Sequence, residues 1–178
     1  LDVQPQGKVI PETDEEFAAI MHTRINDIEG GYDRLVIGNM ESIAMYEGFA
    51  DDLDANLKIG NIPAYSGDRI NARMSDWKST FEIIRDCNIV IDNIGDRTSE
   101  TARGTLGAAY AMKGICYYRL MRAFCEPWDA TACEDLPGIP IVDRFDISDM
   151  VARASMRETY EYTLNLLEES LDVSTNDP

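Results

Sequence analysis

Few residues in this chain carry chemistry of their own. His22 is the only histidine. It falls in an amphipathic stretch near the start, where a structural role is expected rather than general-base work. Four cysteines, Cys87, Cys116, Cys125 and Cys133, show no C-x-x-C spacing, and one histidine cannot complete a zinc set with them. Cys87 and Cys116 sit in apolar runs and read as small buried hydrophobes. Cys125 and Cys133 flank a loop and are the one pair that could bridge in an oxidising compartment. Asp52-Leu53-Asp54-Ala55-Asn56 opens like a calcium loop, but Leu57 stands where such a loop needs glycine and Pro63 where it needs glutamate. A solvated acidic loop is the better reading. The G-x-S-x-G, G-x-x-x-x-G-K-[ST], H-E-x-x-H and G-x-G-x-x-G patterns are absent. Carboxylate pairs abound only because the chain is acidic, so no glycosidase pair can be singled out by spacing. Of the two tryptophans, Trp77 lies in an apolar stripe and reads as core. Trp128 lies in a polar loop, where it could stack on a sugar face, although folding back as a cap over the helices is favoured.

These residues need elements to hold them, and hydrophobic periodicity predicts mostly helices. After an extended lead-in over 1–12, Thr13 and Glu16 have capping-box spacing, and Phe17, Ile20, Met21, Ile25 and Ile28 follow at helical intervals up to Gly30-Gly31. A weaker helix is expected over 33–48, then a long loop over 49–74. Asp76–Ile94 is the clearest amphipathic helix. Residues 100–124 predict a second long helix with two apolar sides. Leu106, Ala109, Met112, Cys116, Leu120 and Ala123 line one; Tyr110, Tyr117, Met121 and Phe124 line the other. Gly107, Ala108, Ala111 and Gly114 remove bulk there, so a neighbouring backbone is expected to come close. An acidic, proline-rich loop spans 125–150. Ser155 and Glu158 then form another capping box, opening a helix whose expected apolar stripe is Met156, Tyr160, Leu164, Leu167 and Leu171. No convincing strand pair is predicted. The fold class is all-α, with four or five helices and long loops. Antiparallel helix pairs stacked as a solenoid fit it, although no strict 34-residue tetratricopeptide repeat is present.

Composition narrows the function. A hydrophobic content of 44% supports a packed core in a chain of 178 residues. Thirty-three acidic against 16 basic residues give a formal charge of −17, which disfavours nucleic acid and anionic lipid as partners. No apolar run approaches the length of a membrane span. The chain opens at Leu1 rather than Met, so removal of a preceding segment is expected.

The order of several motifs resembles the SusD/RagB family. The lead-in Leu1-Asp2-Val3-Gln4-Pro5-Gln6-Gly7 is followed by the acidic start Pro11-Glu12-Thr13-Asp14-Glu15-Glu16-Phe17. Ala50-Asp51-Asp52 precedes a helix opened by Trp77 and closed by Asn88-Ile89-Val90-Ile91-Asp92-Asn93-Ile94. After the Ala/Tyr-rich helix come Gly138-Ile139-Pro140-Ile141-Val142, then Arg153, then the Tyr160-to-Leu167 spacing. Lys113-Gly114 departs from the Arg-Ala usual in that long helix, and Cys125 and Cys133 are not a family signature. The resemblance implies tetratricopeptide-like helix pairs and a lipoprotein on the outer-membrane surface, held by an amino-terminal lipid missing from this chain. It also implies partnership with a SusC-like TonB-dependent transporter and capture of oligosaccharides, or sometimes peptides, without catalysis, cofactor or metal. Residues 1–178 are then the amino-terminal helical domain, with the carboxy-terminal portion absent. Tyr65, Arg69 and Trp128 are the expected ligand contacts, none of them on a motif-level match. The alternative is a helical-repeat scaffold that binds peptides in a groove.

Overall fold

A computed structural model describes residues 11–29, 73–95, 97–144 and 151–175. Its elements are α1 (Asp14–Glu29), α2 (Arg73–Asn93), α3 (Glu100–Phe124), β1 (Pro137–Pro140), β2 (Arg153–Ser155) and α4 (Met156–Thr175). The chain is all-α apart from one small two-stranded sheet among the described residues. The helix expected over 33–48 and nearly all of the loop expected over 49–74 lie outside those residues.

The predicted caps are in place. Glu16 N–H donates to Thr13 Oγ1 at 3.3 Å, while Thr13 N–H donates back to Glu16 Oε2 at 3.3 Å. At α4, Ser155 N–H donates to Glu158 Oε2 at 2.7 Å and Glu158 N–H to Ser155 Oγ at 3.1 Å. Each box satisfies helix N–H groups that have no partner within the helix. Ser99 caps α3, accepting from Ala102 N–H at 3.0 Å, and its hydroxyl donates to Asp14 Oδ2 at 2.6 Å. One serine thus starts α3 and ties it to the first turn of α1. Helix α2 begins three residues earlier than the sequence predicts and stops at Asn93, where Arg97 Nη2 reaches the Ile91 carbonyl at 3.0 Å.

Helix α3 is the centre, packing against α1, α2 and α4. Ile84, Cys87, Val90, Leu106, Ala109, Cys116, Tyr117 and Leu120 are buried between the helices. The two expected apolar sides of α3 are both used, but the aromatic side divides. Tyr117 meets Tyr162 of α4 edge-on at 5.1 Å, whereas Phe124 meets Trp77 of α2 edge-on at 5.0 Å. Trp77 therefore packs against the core as predicted.

Two expectations are corrected. The first concerns α4. Its buried line is Met156, Thr159, Thr163, Leu166 and Ser170, while Tyr160, Leu164 and Leu171 of the expected stripe are exposed. The cause is close approach to α3. A Cβ on Gly107 would stand 2.1 Å from Ser174 Oγ, and one on Gly114 would stand 2.8 Å from Leu167 Cδ2. Gly107 facing Ser174 and Gly114 facing Leu167 also makes the two helices antiparallel. The seam takes small polar side chains from α4 beside the larger Met156 and Leu166. Its hydroxyls return to α4's own carbonyls, Thr163 to Thr159 O at 2.7 Å and Ser170 to Leu167 O at 2.7 Å, so burial leaves them satisfied.

The second correction is the sheet. β1 and β2 pair antiparallel, with Pro137 opposite Ser155 and Pro140 opposite Arg153. Strands of four and three residues, with prolines at 137 and 140, are too short to show an alternating pattern. Side chains hold them. Arg153 donates from Nε to Gly138 O at 2.5 Å and from Nη2 to Phe124 O at 3.0 Å and Pro137 O at 3.4 Å.

Candidate functional site

The loop that follows α3 is built to a fixed shape. Asp129 Oδ1 accepts from Thr131 N–H at 2.8 Å and from the Thr131 hydroxyl at 2.7 Å, and this hydroxyl holds the carboxyl below the usual carboxylate range. A compact turn follows, with Ala132 N–H donating to Asp129 O at 3.2 Å and Leu136 N–H to Ala132 O at 3.0 Å. The turn is fastened to α4 because Met156 N–H donates to Leu136 O at 2.8 Å and Arg157 N–H to Cys133 O at 3.2 Å. The loop thereby satisfies the first N–H groups of α4. The Arg157 guanidinium adds an ion pair to Glu134 and lies 4.0 Å from Glu161.

Trp128 rides on this loop. Its ring stacks against Tyr160 of α4, centroids 4.7 Å apart and planes tilted by 37°. Trp128 folds back onto a helix, as expected of a cap, yet it stays 46% exposed and Tyr160 stays 43% exposed. Of the three expected ligand contacts it alone is among the described residues; Tyr65 and Arg69 lie outside them, as does the acidic 52–56 stretch. Tyr160 was legible as a member of the apolar stripe and as the start of the Tyr160-to-Leu167 spacing. Its pairing with Trp128, 32 residues away, leaves no local signal in the sequence.

Behind the loop lies a buried polar seat for the strand that follows. Tyr117 hydroxyl donates to Pro140 O at 3.1 Å and accepts from Val142 N–H at 2.8 Å, and Asn88 Nδ2 donates to Val142 O at 3.0 Å. Lys113, almost fully buried, reaches Asp143 O at 3.4 Å and sits 5.4 Å from the centroid of the Tyr162 ring. Burial pushes its amine below the ordinary lysine range, opposed by the charge of Asp143. Burial likewise pushes Tyr117 and Tyr162 well above the ordinary phenol range. Asn88, legible in the sequence only as part of a motif, and Lys113, legible only as a departure from one, thus hold the backbone at 142 and 143, next to Tyr117 at 140 and 142.

His22 is exposed at a shallow groove of about 340 Å³ between α1 and α3, beside Ala18, Met21, Glu100 and Thr101. All four thiols are free, so Cys125 and Cys133 form no bridge. Cys125 accepts from Arg153 Nη2 at 3.7 Å, and buried Cys133 donates to Ala130 O at 3.5 Å. Burial pushes the Cys116 thiol up to about 12, far from a thiolate at neutral pH. Among the described residues there is no group of three or more metal-ligating side chains, and no helix is long and apolar enough to cross a membrane.

A family model described as "starch-binding associating with outer membrane" matches residues 1–177. No curated protein matches the chain.

Proposed function

The chain belongs to the SusD-like_3 family, and from that premise we propose that it is a binding component for glycans at the outer-membrane surface. The carrying observation is the extent of the match, which runs through every described helix and loop rather than one short motif. In this reading the protein captures oligosaccharide and hands it to a SusC-like TonB-dependent β-barrel. A lipid on a preceding cysteine anchors it to the membrane, and it performs no catalysis. Residues 1–178 serve as the amino-terminal helical domain of stacked, tetratricopeptide-like pairs. The proposed ligand contacts are Tyr65, Arg69 and Trp128, and the exposure of Trp128 is what supports the last of them.

A second reading, a helical scaffold that binds peptides, draws on one feature. Tyr160, Leu164 and Leu171 form an exposed apolar line on α4. Purification of the native protein from detergent-extracted outer membranes separates the two. Recovery with a large β-barrel in stoichiometric amount is the expected result. Recovery alone, or with water-soluble proteins only, removes the transporter reading and leaves the scaffold.

A further inference from the structure

We propose that Arg24, Arg85 and Arg119 form an oxyanion-binding site where α1, α2 and α3 meet. The inference stands apart from the glycan-capture reading, which neither supplies this site nor needs it.

The three arginines come from three helices and share one carboxylate. Arg24 of α1 donates from Nη2 to Asp86 Oδ2 at 2.5 Å. Arg85 of α2 donates to Asp86 Oδ1 from Nε at 3.0 Å and from Nη2 at 2.7 Å. Each oxygen of Asp86 is therefore already engaged. Arg119 of α3 belongs to the same neighbourhood, because its charge and that of Arg24 both act on the Cys116 thiol one helical turn before it. Among the described residues no carboxylate pairs with Arg119.

Three guanidiniums against one carboxylate leave positive charge in excess. Glu82, one turn before Asp86 on α2, is engaged by Lys78 at 3.9 Å. Cys87 and Cys116, which the cluster's charges reach, are fully buried, and burial raises both thiols far enough to keep them neutral at neutral pH. A chain with 33 acidic and 16 basic residues has carboxylates to spare, so a cationic excess at one place runs against its composition. Like charges held together repel until an anion joins them.

The donors suit an oxyanion. A guanidinium presents a flat fork of N–H groups that matches two oxygens of a sulfate, phosphate or carboxylate. The ties to Asp86 hold Arg24 and Arg85 in place, so little side-chain freedom is lost when a ligand arrives. Arg24 and Arg85 keep 27% and 40% of their side-chain surface exposed, and Arg119 is half-buried. An ion can reach the donors, while the partial shelter weakens the screening by water. The net charge of −17 opposes any anion at long range, so affinity comes from direct contact with the guanidiniums.

The test uses the whole chain and inorganic sulfate, exchanged for NaCl at constant ionic strength so that general screening does not change. The thermal midpoint should rise with sulfate and saturate. Arg119→Gln and Arg85→Gln should each raise the half-saturating sulfate concentration by at least about tenfold, the loss of one charged-donor contact. Circular dichroism of both variants should match the parent. Exclusion of sulfate from the surface stabilises parent and variants alike without saturating, which separates it from binding. A rise without saturation in the parent would overturn the site. So would half-saturation within about twofold of the parent in both folded variants. Sulfated and neutral forms of one disaccharide then identify what carries the anion. Calorimetric affinity for the sulfated form at least about tenfold above that for inorganic sulfate, and reduced in Arg119→Gln, makes it a sugar-borne group. Affinity no higher than for inorganic sulfate makes it a free ion. Equal weakening of the neutral form by Arg119→Gln would overturn the oxyanion class.

Discussion

Arg153 in β2 ties its own strand to backbone carbonyls of two other elements, β1 and α3. Its Nε reaches Gly138 O in β1 at 2.5 Å, and its Nη2 reaches the Phe124 carbonyl in the last turn of α3 at 3.0 Å. A cation there also meets the negative end of the α3 dipole. The guanidinium suits the task because its donors diverge in a fixed plane, so one side chain can serve carbonyls on two elements. Hydrogen bonds from a charged donor contribute roughly 1.5–3 kcal/mol where their loss strands a buried partner. The described contacts are only partly buried, so Arg153→Ala should destabilise by about 2 kcal/mol, near the low end of that range. Arg153→Lys should recover less than half of it, since an ammonium on a flexible stem offers no fork. Urea unfolding curves of the three proteins measure this directly. Full recovery by lysine would mean that charge alone, not geometry, holds the strand. This residue was legible in the sequence only as an arginine ahead of a helix, because its acceptors lie 15 to 29 residues back and, apart from the Cys125 sulfur, are backbone carbonyls.

The elements were legible where the chain carries local signals. Capping boxes at Thr13 and Ser155 marked two helix starts that the structure reproduces, and α3 runs over the predicted 100–124. The rotational phase of α4 was not legible, because apolarity points its stripe toward the core while the buried line takes in Thr159, Thr163 and Ser170 beside Met156 and Leu166. Nor was the Trp128–Tyr160 pair, whose existence depends on that phase. Glycines of α3 allow the seam argument to be tested within one helix. At Gly104 a Cβ would meet nothing within 4 Å, so Gly104→Ala gains helix propensity freely and should stabilise by about 0.5–1 kcal/mol. At Gly114 a Cβ would press on Leu167 Cδ2 at 2.8 Å and Cγ at 3.0 Å, so overpacking of about 1–3 kcal/mol outweighs the same gain. Gly107 falls between them, since its closest neighbour, the Ser174 hydroxyl, can rotate away, leaving Ser170 O at 3.3 Å. The expected order of thermal midpoints is Gly104→Ala above parent, then Gly107→Ala, then Gly114→Ala. Equal gains at all three positions would show that α4 slides outward at little cost and that the seam is not tight.

Over the whole molecule, charge opposes compactness. Thirty-three carboxylates face 16 basic side chains, so most acids have no partner to neutralise them whatever the geometry. The described ion pairs offset little of this. Arg24 to Asp86 at 2.5 Å is the best sheltered, and Asp86 also takes Arg85 at 2.7 Å, while Lys78 to Glu82 at 3.9 Å and Arg157 to Glu161 at 4.0 Å are largely exposed. Exposed pairs of this kind contribute about 0–1 kcal/mol each and weaken as salt rises. Repulsion among unpaired acids acts over longer distances and is greater in the folded chain than in the expanded one, so screening relieves it preferentially in the native state. The Debye length falls from about 20 Å to about 7 Å between roughly 20 and 200 mM NaCl, spanning the separations between surface carboxylates. Stability should therefore rise over that interval, with the urea midpoint moving upward by an amount equivalent to about 1 kcal/mol at unchanged slope. A midpoint that falls with salt would mean that the few ion pairs, above all Arg24–Asp86, outweigh the repulsion of the acidic excess. The same experiment on Arg24→Gln separates the terms, because removing that pair should steepen the rise if repulsion governs the remainder.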